Sequence, residues 1–124
     1  MSNSIRLLSA TLLAAVLGCD EGPPPGPGTL TVTLTSPTGA EGAARIRLVG
    51  KGLGAPVPIA GEVHARQRGD TMEVMVMLEE AGVLHFGVEV SDTTQKPRAE
   101  VVQVAGPDNR LRAALEGYDV EVRR

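Results

Sequence analysis

The chain is poor in the residues that most often announce chemistry. Of its 124 residues, one is cysteine, two are histidine and none is tryptophan, with Phe86 and Tyr118 the only aromatic side chains of the Phe, Tyr and Trp set. A single cysteine cannot close an internal disulfide, so no covalent staple supports the fold. With so few rings, the core has to be assembled from Val, Leu, Ile, Met and Ala. Sugar-binding sandwiches stack their ligand on tryptophan or tyrosine platforms, a means this chain lacks. His64 and His85 have no free cysteine and no carboxylate at ligand spacing beside them, which argues against a metal centre. Beyond the first 19 residues the only serines are Ser36 and Ser91, each beside a turn and without an elbow motif, so no residue is nominated as catalytic and no enzyme activity is expected. The glycines stand in turns rather than between a strand and a helix, so no phosphate-binding loop and no cofactor is expected. Lys and Arg number 12 against 15 Asp and Glu, interspersed along the chain for a net charge of −3. That balance offers nucleic acid no basic face. Long hydrophobic runs are absent too, since the longest apolar stretch, Leu7 to Leu17, falls short of the roughly 20 residues a membrane span needs.

What is present begins at that stretch. Arg6 supplies a positive start, Leu7 to Leu17 an apolar centre, and small residues follow, which is the layout of a secretory signal peptide. The run Val16-Leu17-Gly18-Cys19 closes it and resembles the lipobox of bacterial lipoproteins. That resemblance implies cleavage before Cys19, a diacylglyceryl group on its thiol and acylation of the new amino terminus. Two or three acyl chains hold a protein stably on a bilayer, whereas one holds it marginally. The expected location is therefore the cell envelope, on a bacterial membrane reached through the lipid at Cys19. Asp20 resembles the inner-membrane retention signal of enteric bacteria; because that rule varies between bacterial groups, the choice between inner and outer membrane stays open.

Composition then divides the chain. Residues 1–18 read as signal peptide, 19–28 as lipidated cysteine and tether, and 29–124 as one domain. The tether, Asp-Glu-Gly-Pro-Pro-Pro-Gly-Pro-Gly from Asp20 to Gly28, cannot join a helix or a central strand, because proline fixes φ and lacks a donor. Extended at about 3.1 Å per residue it spans roughly 25 Å, enough to lift the domain clear of lipid headgroups.

Periodicity assigns the domain to the all-β class. Leu30, Val32 and Leu34 alternate with threonines, and Ala44, Ile46 and Leu48 alternate with Arg45 and Arg47. Gly50 to Pro58, with three glycines and two prolines, reads as loop or irregular edge. A two-residue turn at Gly69-Asp70 pairs Gln67 with Met72, Ala65 with Val74 and Val63 with Val76, and sets Arg66 opposite Glu73 on the other face. Turn chemistry also accounts for Arg68-Gly69-Asp70, which spells an integrin-binding tripeptide. Leu84, Phe86, Val88 and Val90 form a further alternating strand. A second hairpin is expected at Gly106-Pro107-Asp108-Asn109, pairing Val104 with Leu111 and Val102 with Ala113. Tyr118, Val120 and Val122 belong to the last strand.

About seven short strands bounded by turns suggest an antiparallel sandwich. Leu115 to Val120 looks like the tyrosine corner of immunoglobulin-like domains, and the pattern is similar to bacterial immunoglobulin-like and cohesin-like sandwiches, with a transthyretin-like sandwich as the alternative. The corner likeness implies a Tyr118 phenol bonded back to backbone. One surface draws notice: Met75 and Met77, expected to share the outer face of the central hairpin with His85 and Val83. Methionines adapt to varied partners, so Met75, Met77 and His85 are the candidate surface for an envelope protein partner, unless a loop such as Gly50 to Ile59 covers them. The expected work is non-catalytic binding or structure at a membrane. The alternative is a small-ligand carrier or sensor with a pocket between the sheets lined by Met72, Phe86 and Val88.

Overall fold

The computed structural model describes residues 24–124, in which eight strands and no helix form. They run β1 (Gly28–Thr35), β2 (Glu41–Val49), β3 (Leu53–Pro58), β4 (Glu62–Arg68), β5 (Thr71–Gly82), β6 (His85–Val90), β7 (Arg98–Ala105) and β8 (Asp119–Arg123). Two four-stranded antiparallel sheets stack, one in the order β3-β6-β1-β8 and the other β4-β5-β2-β7. The architecture is a β-sandwich.

Alternation builds its core. Leu30, Val32 and Leu34 of β1 lie against Phe86 and Val88 of β6 and Val120 and Val122 of β8 on one inner face. Ala44, Ile46 and Leu48 of β2 lie beside Met72, Val74 and Val76 of β5 on the other. Phe86, Val88 and Met72 are each no more than 1% exposed, deep in this aliphatic cluster. Threonines and arginines between them turn outward, as a sheet with one wet face requires.

Pairing is nested. β4 joins β5, β3 joins β6, β2 joins β7 and β1 joins β8, while β1–β6 and β2–β5 contacts complete each sheet. Of the seven connections between consecutive strands, only β4 to β5 stays within a sheet; the other six cross the sandwich. Immunoglobulin domains share the two-layer antiparallel build, with sheets of strands ABED and CFG; in chain order β4-β5-β2 and β3-β6 repeat the D-E-B and C-F neighbours, while β1 lies beside β6 and β7 beside β2.

The β4–β5 hairpin takes the register expected from its two faces, with Val63 opposite Val76, Ala65 opposite Val74, Arg66 opposite Glu73 and Gln67 opposite Met72. Gly69, at φ 59°, opens the turn in the Gly-first manner of a type II′ turn. The second expected hairpin is shifted by one residue. Asn109 takes a left-handed φ of 65°, so the loop holds three residues, Gly106 N–H donates to the Arg110 carbonyl, and Ala105 rather than Val104 stands opposite Leu111. Beyond that single bridge the chain leaves β7, and Val102 has no partner in Ala113. A three-residue loop ending in the left-handed region is a standard hairpin closure, and asparagine tolerates it better than most side chains.

The stretch expected as loop or irregular edge contributes β3, an edge strand whose prolines Pro56 and Pro58 are tolerated because one side faces no neighbour. The end of the proline-rich spacer is docked: the Gly26 carbonyl accepts the Thr93 N–H at 2.9 Å. Cys19 and the signal segment lie outside the described residues.

Candidate functional site

The outer face of the β4-β5-β2-β7 sheet carries the methionines. Met75 of β5 stands between His64 of β4 and Arg45 of β2, and Met77 between Glu62 and Ala43. Strand alternation places both on one face, since the inward positions of β5 are Met72, Val74 and Val76. Met75 is 39% exposed and Met77 half-buried. A shallow hollow of about 340 Å³ beside Met75 is lined by Arg45, His64, Arg66 and Glu73. On its other side a smaller apolar groove of about 80 Å³ runs between Met75, Ala43, Ala105 and the exposed Leu111.

His85 does not join them. β5 ends at Gly82 and the chain crosses within two residues to the opposite sheet, so His85 sits in β6 opposite Thr33 of β1, on the far outer face of the sandwich. Val83 lies in the crossing itself, exposed. The expectation of a continuous Met75–Met77–Val83–His85 face read two strands as one sheet, because alternation carries no information about where a chain changes layers. Nor does the Gly50 to Ile59 segment cover the methionines, because β3 belongs to the other sheet.

A lattice of ion pairs borders the methionine face. Glu73 accepts from Arg45 at 3.0 Å and from Arg47 at 3.2 Å, and Arg47 donates onward to Glu100 at 2.8 Å. Hydrogen bonds from Arg47 and Arg45 hold the Glu73 carboxyl below the usual carboxylate range. These are exposed pairs across three strands, screened by solvent and of little weight in stability.

A second polar constellation escaped the sequence reading. Glu41, at the start of β2, is 1% exposed. One carboxylate oxygen accepts both Nε and Nη2 of Arg112, at 3.1 and 2.8 Å. The other accepts the hydroxyls of Ser36 at 2.6 Å, Thr38 at 2.8 Å and Tyr118. Burial works to raise its pKa, but the hydrogen bonds from Ser36, Tyr118, Arg112 and Thr38 outweigh it and hold the carboxyl down to about 2. Glu41 is inward because the register slips between Glu41 and Ala43, a bulge that no alternation pattern announces. The phenol of Tyr118 thus bonds a buried carboxylate rather than backbone, which corrects the corner geometry implied by Leu115 to Val120. Every acceptor position on Glu41 is engaged, so the cluster fixes the β1–β2 turn, the segment after β7 and the entry to β8 without a free group to offer a ligand.

Among the described residues no group of three or more His, Cys, Asp or Glu side chains gathers as a metal site, and no helix is long and apolar enough to cross a membrane. Comparison with protein-family models, curated proteins and solved structures found no match to this chain.

Proposed function

We propose that this chain is a bacterial lipoprotein, held in the cell envelope by acyl chains on Cys19, whose sandwich domain is a non-catalytic binding or structural module. The observation that carries the reading is the run Val16-Leu17-Gly18-Cys19 directly after an apolar segment and directly before a proline-rich spacer. Anchor, spacer and domain then follow in the order that displays a folded module at a bilayer. Met75, exposed beside a hollow and an apolar groove, supports recognition of an envelope protein partner on the outer face of the β5 sheet.

A carrier or sensor with its ligand between the sheets has less support. Met72, Phe86 and Val88, its expected pocket walls, are packed against one another's neighbours in the core.

Metabolic labelling with palmitate tests the anchor. The wild-type protein takes up label and partitions into the detergent phase, whereas Cys19→Ser does neither. Equal labelling of both chains, or a mature protein that begins upstream of Cys19 with a bare thiol, overturns the reading.

A further inference from the structure

A sheet edge presents unpaired N–H and C=O groups, and folded proteins blunt such edges with proline, bulges, short strands or charge. This sandwich has four edges, β3, β8, β4 and β7. β3 carries Pro56 and Pro58 and a register shift, β7 carries a register shift opposite Arg45 and Ile46, and β8 is five residues long. β4 has no proline and no bulge, and its one defence is charge, on Glu62, Arg66 and Arg68. Its seven residues, free of proline, pair with β5 in unbroken register from Glu62 to Arg68, and six of the seven are exposed. The two-residue turn makes Arg68 and Thr71 a hydrogen-bonded pair, so alternation aims the amides of Val63, Ala65 and Gln67 away from β5.

We propose that β4 is a self-pairing edge, joining a second copy of this chain antiparallel about a two-fold axis through Ala65. Residues facing each other across antiparallel strands must share a face, which restricts the register to even offsets. Centred on Ala65, the pairing uses all seven residues, sets Ala65 opposite its own copy, matches inward Val63 with inward Gln67, and places Glu62 opposite Arg68 twice over. Centring on Arg66 instead sets that arginine against itself. Symmetry makes the contact isologous and closed, so it ends at a dimer and does not propagate. The two β4-β5-β2-β7 sheets become one continuous sheet, with His64 and Met75 of both copies flanking the seam. The occupant is a second copy because the two ends of β4, Glu62 and Arg68, are complementary to their own reverse, while Arg66 of each copy faces His64 of the other.

Sedimentation velocity of the full chain in density-matched detergent tests this. A concentration-dependent dimer is expected, with hydrogen exchange at Val63 and Ala65 slowing as concentration rises. Ala65→Pro removes an outward N–H and no bond to β5; it should keep a cooperative thermal transition and weaken dimerisation about tenfold or more. The charge route is independent of backbone effects. Glu62→Arg or Arg68→Glu alone should each weaken the dimer about tenfold, and the double variant Glu62→Arg/Arg68→Glu should restore it. A chain that stays monomeric throughout, a dimer indifferent to the single charge changes, or a monomer whose Val63 and Ala65 amides are protected only by an added acidic peptide overturns the proposal. Cys19→Ser run in parallel should lose the anchor and keep the dimer, so lipidation and edge pairing fail separately.

Discussion

Tyr118 and Glu41 stand 77 positions apart in the chain, yet the phenol of one donates to the buried carboxylate of the other. That contact fastens the entry of the last strand to the start of the second. Removing the hydroxyl with Tyr118→Phe withdraws one charge-assisted bond and should cost about 2 kcal/mol. Glu41→Gln is expected to cost more, about 3 kcal/mol or above, because it leaves Arg112 beside a neutral amide and turns a donor toward other donors. Urea denaturation with an unchanged m-value measures both, and Tyr118→Phe more damaging than Glu41→Gln would contradict this ordering.

The same carboxylate makes the fold acid-sensitive in a defined window. Its folded pKa of about 2 lies below the ordinary 4.5, so the unfolded chain binds the proton more readily. The stabilisation is complete above the ordinary value and is lost as pH falls from there toward about 2, on the order of 3 kcal/mol in all. Stability measured between pH 5 and pH 2, about the span of that titration, should decline steeply in the wild type and much less in Glu41→Gln. Equal slopes would assign acid sensitivity to other groups.

Two turn glycines should respond very differently to alanine. Gly61 takes φ 75°, and a Cβ there would stand in overlap with the Met77 carbonyl oxygen. Gly69 takes φ 59° with open space where its Cβ would go. Gly69→Ala should cost about 1–3 kcal/mol, the penalty of a sparsely populated backbone region, and Gly61→Ala more, since backbone has to move. Thermal melts of the two variants compare them directly.

The arginine lattice should matter little to stability. Arg47 touches Glu73 and Glu100 on a half-open face, so Arg47→Ala should shift the thermal midpoint only slightly at low salt, and by less still at high salt. A loss as large as that of Glu41→Gln would mean that Arg47 also packs in a way its exposure does not suggest.

Most strand positions and the central hairpin were legible because each rests on a period of two with a wet and a dry face: Val63, Ala65 and Gln67 meet Val76, Val74 and Met72 on one face while Arg66 meets Glu73 on the other. Asn109 hid the one-residue shift of the second turn, since a non-glycine residue in the left-handed region leaves no plain mark in sequence. His85 was placed on the wrong face because the crossing at Val83 separates two runs that look like a meander when read along the chain. Glu41 was invisible for a different reason: an acid at a strand start ordinarily reads as solvated, and its five donors come from Ser36, Thr38, Arg112 and Tyr118, gathered only by the fold.

Because β1 takes β8 as a neighbour, the first of the described strands needs the last of them before its sheet is complete. Such long-range closure is slow, and until it happens the nascent polypeptide exposes bare ladder groups along β1. Until Asp119–Arg123 takes its place, the side of β1 that faces away from β6 remains an open edge.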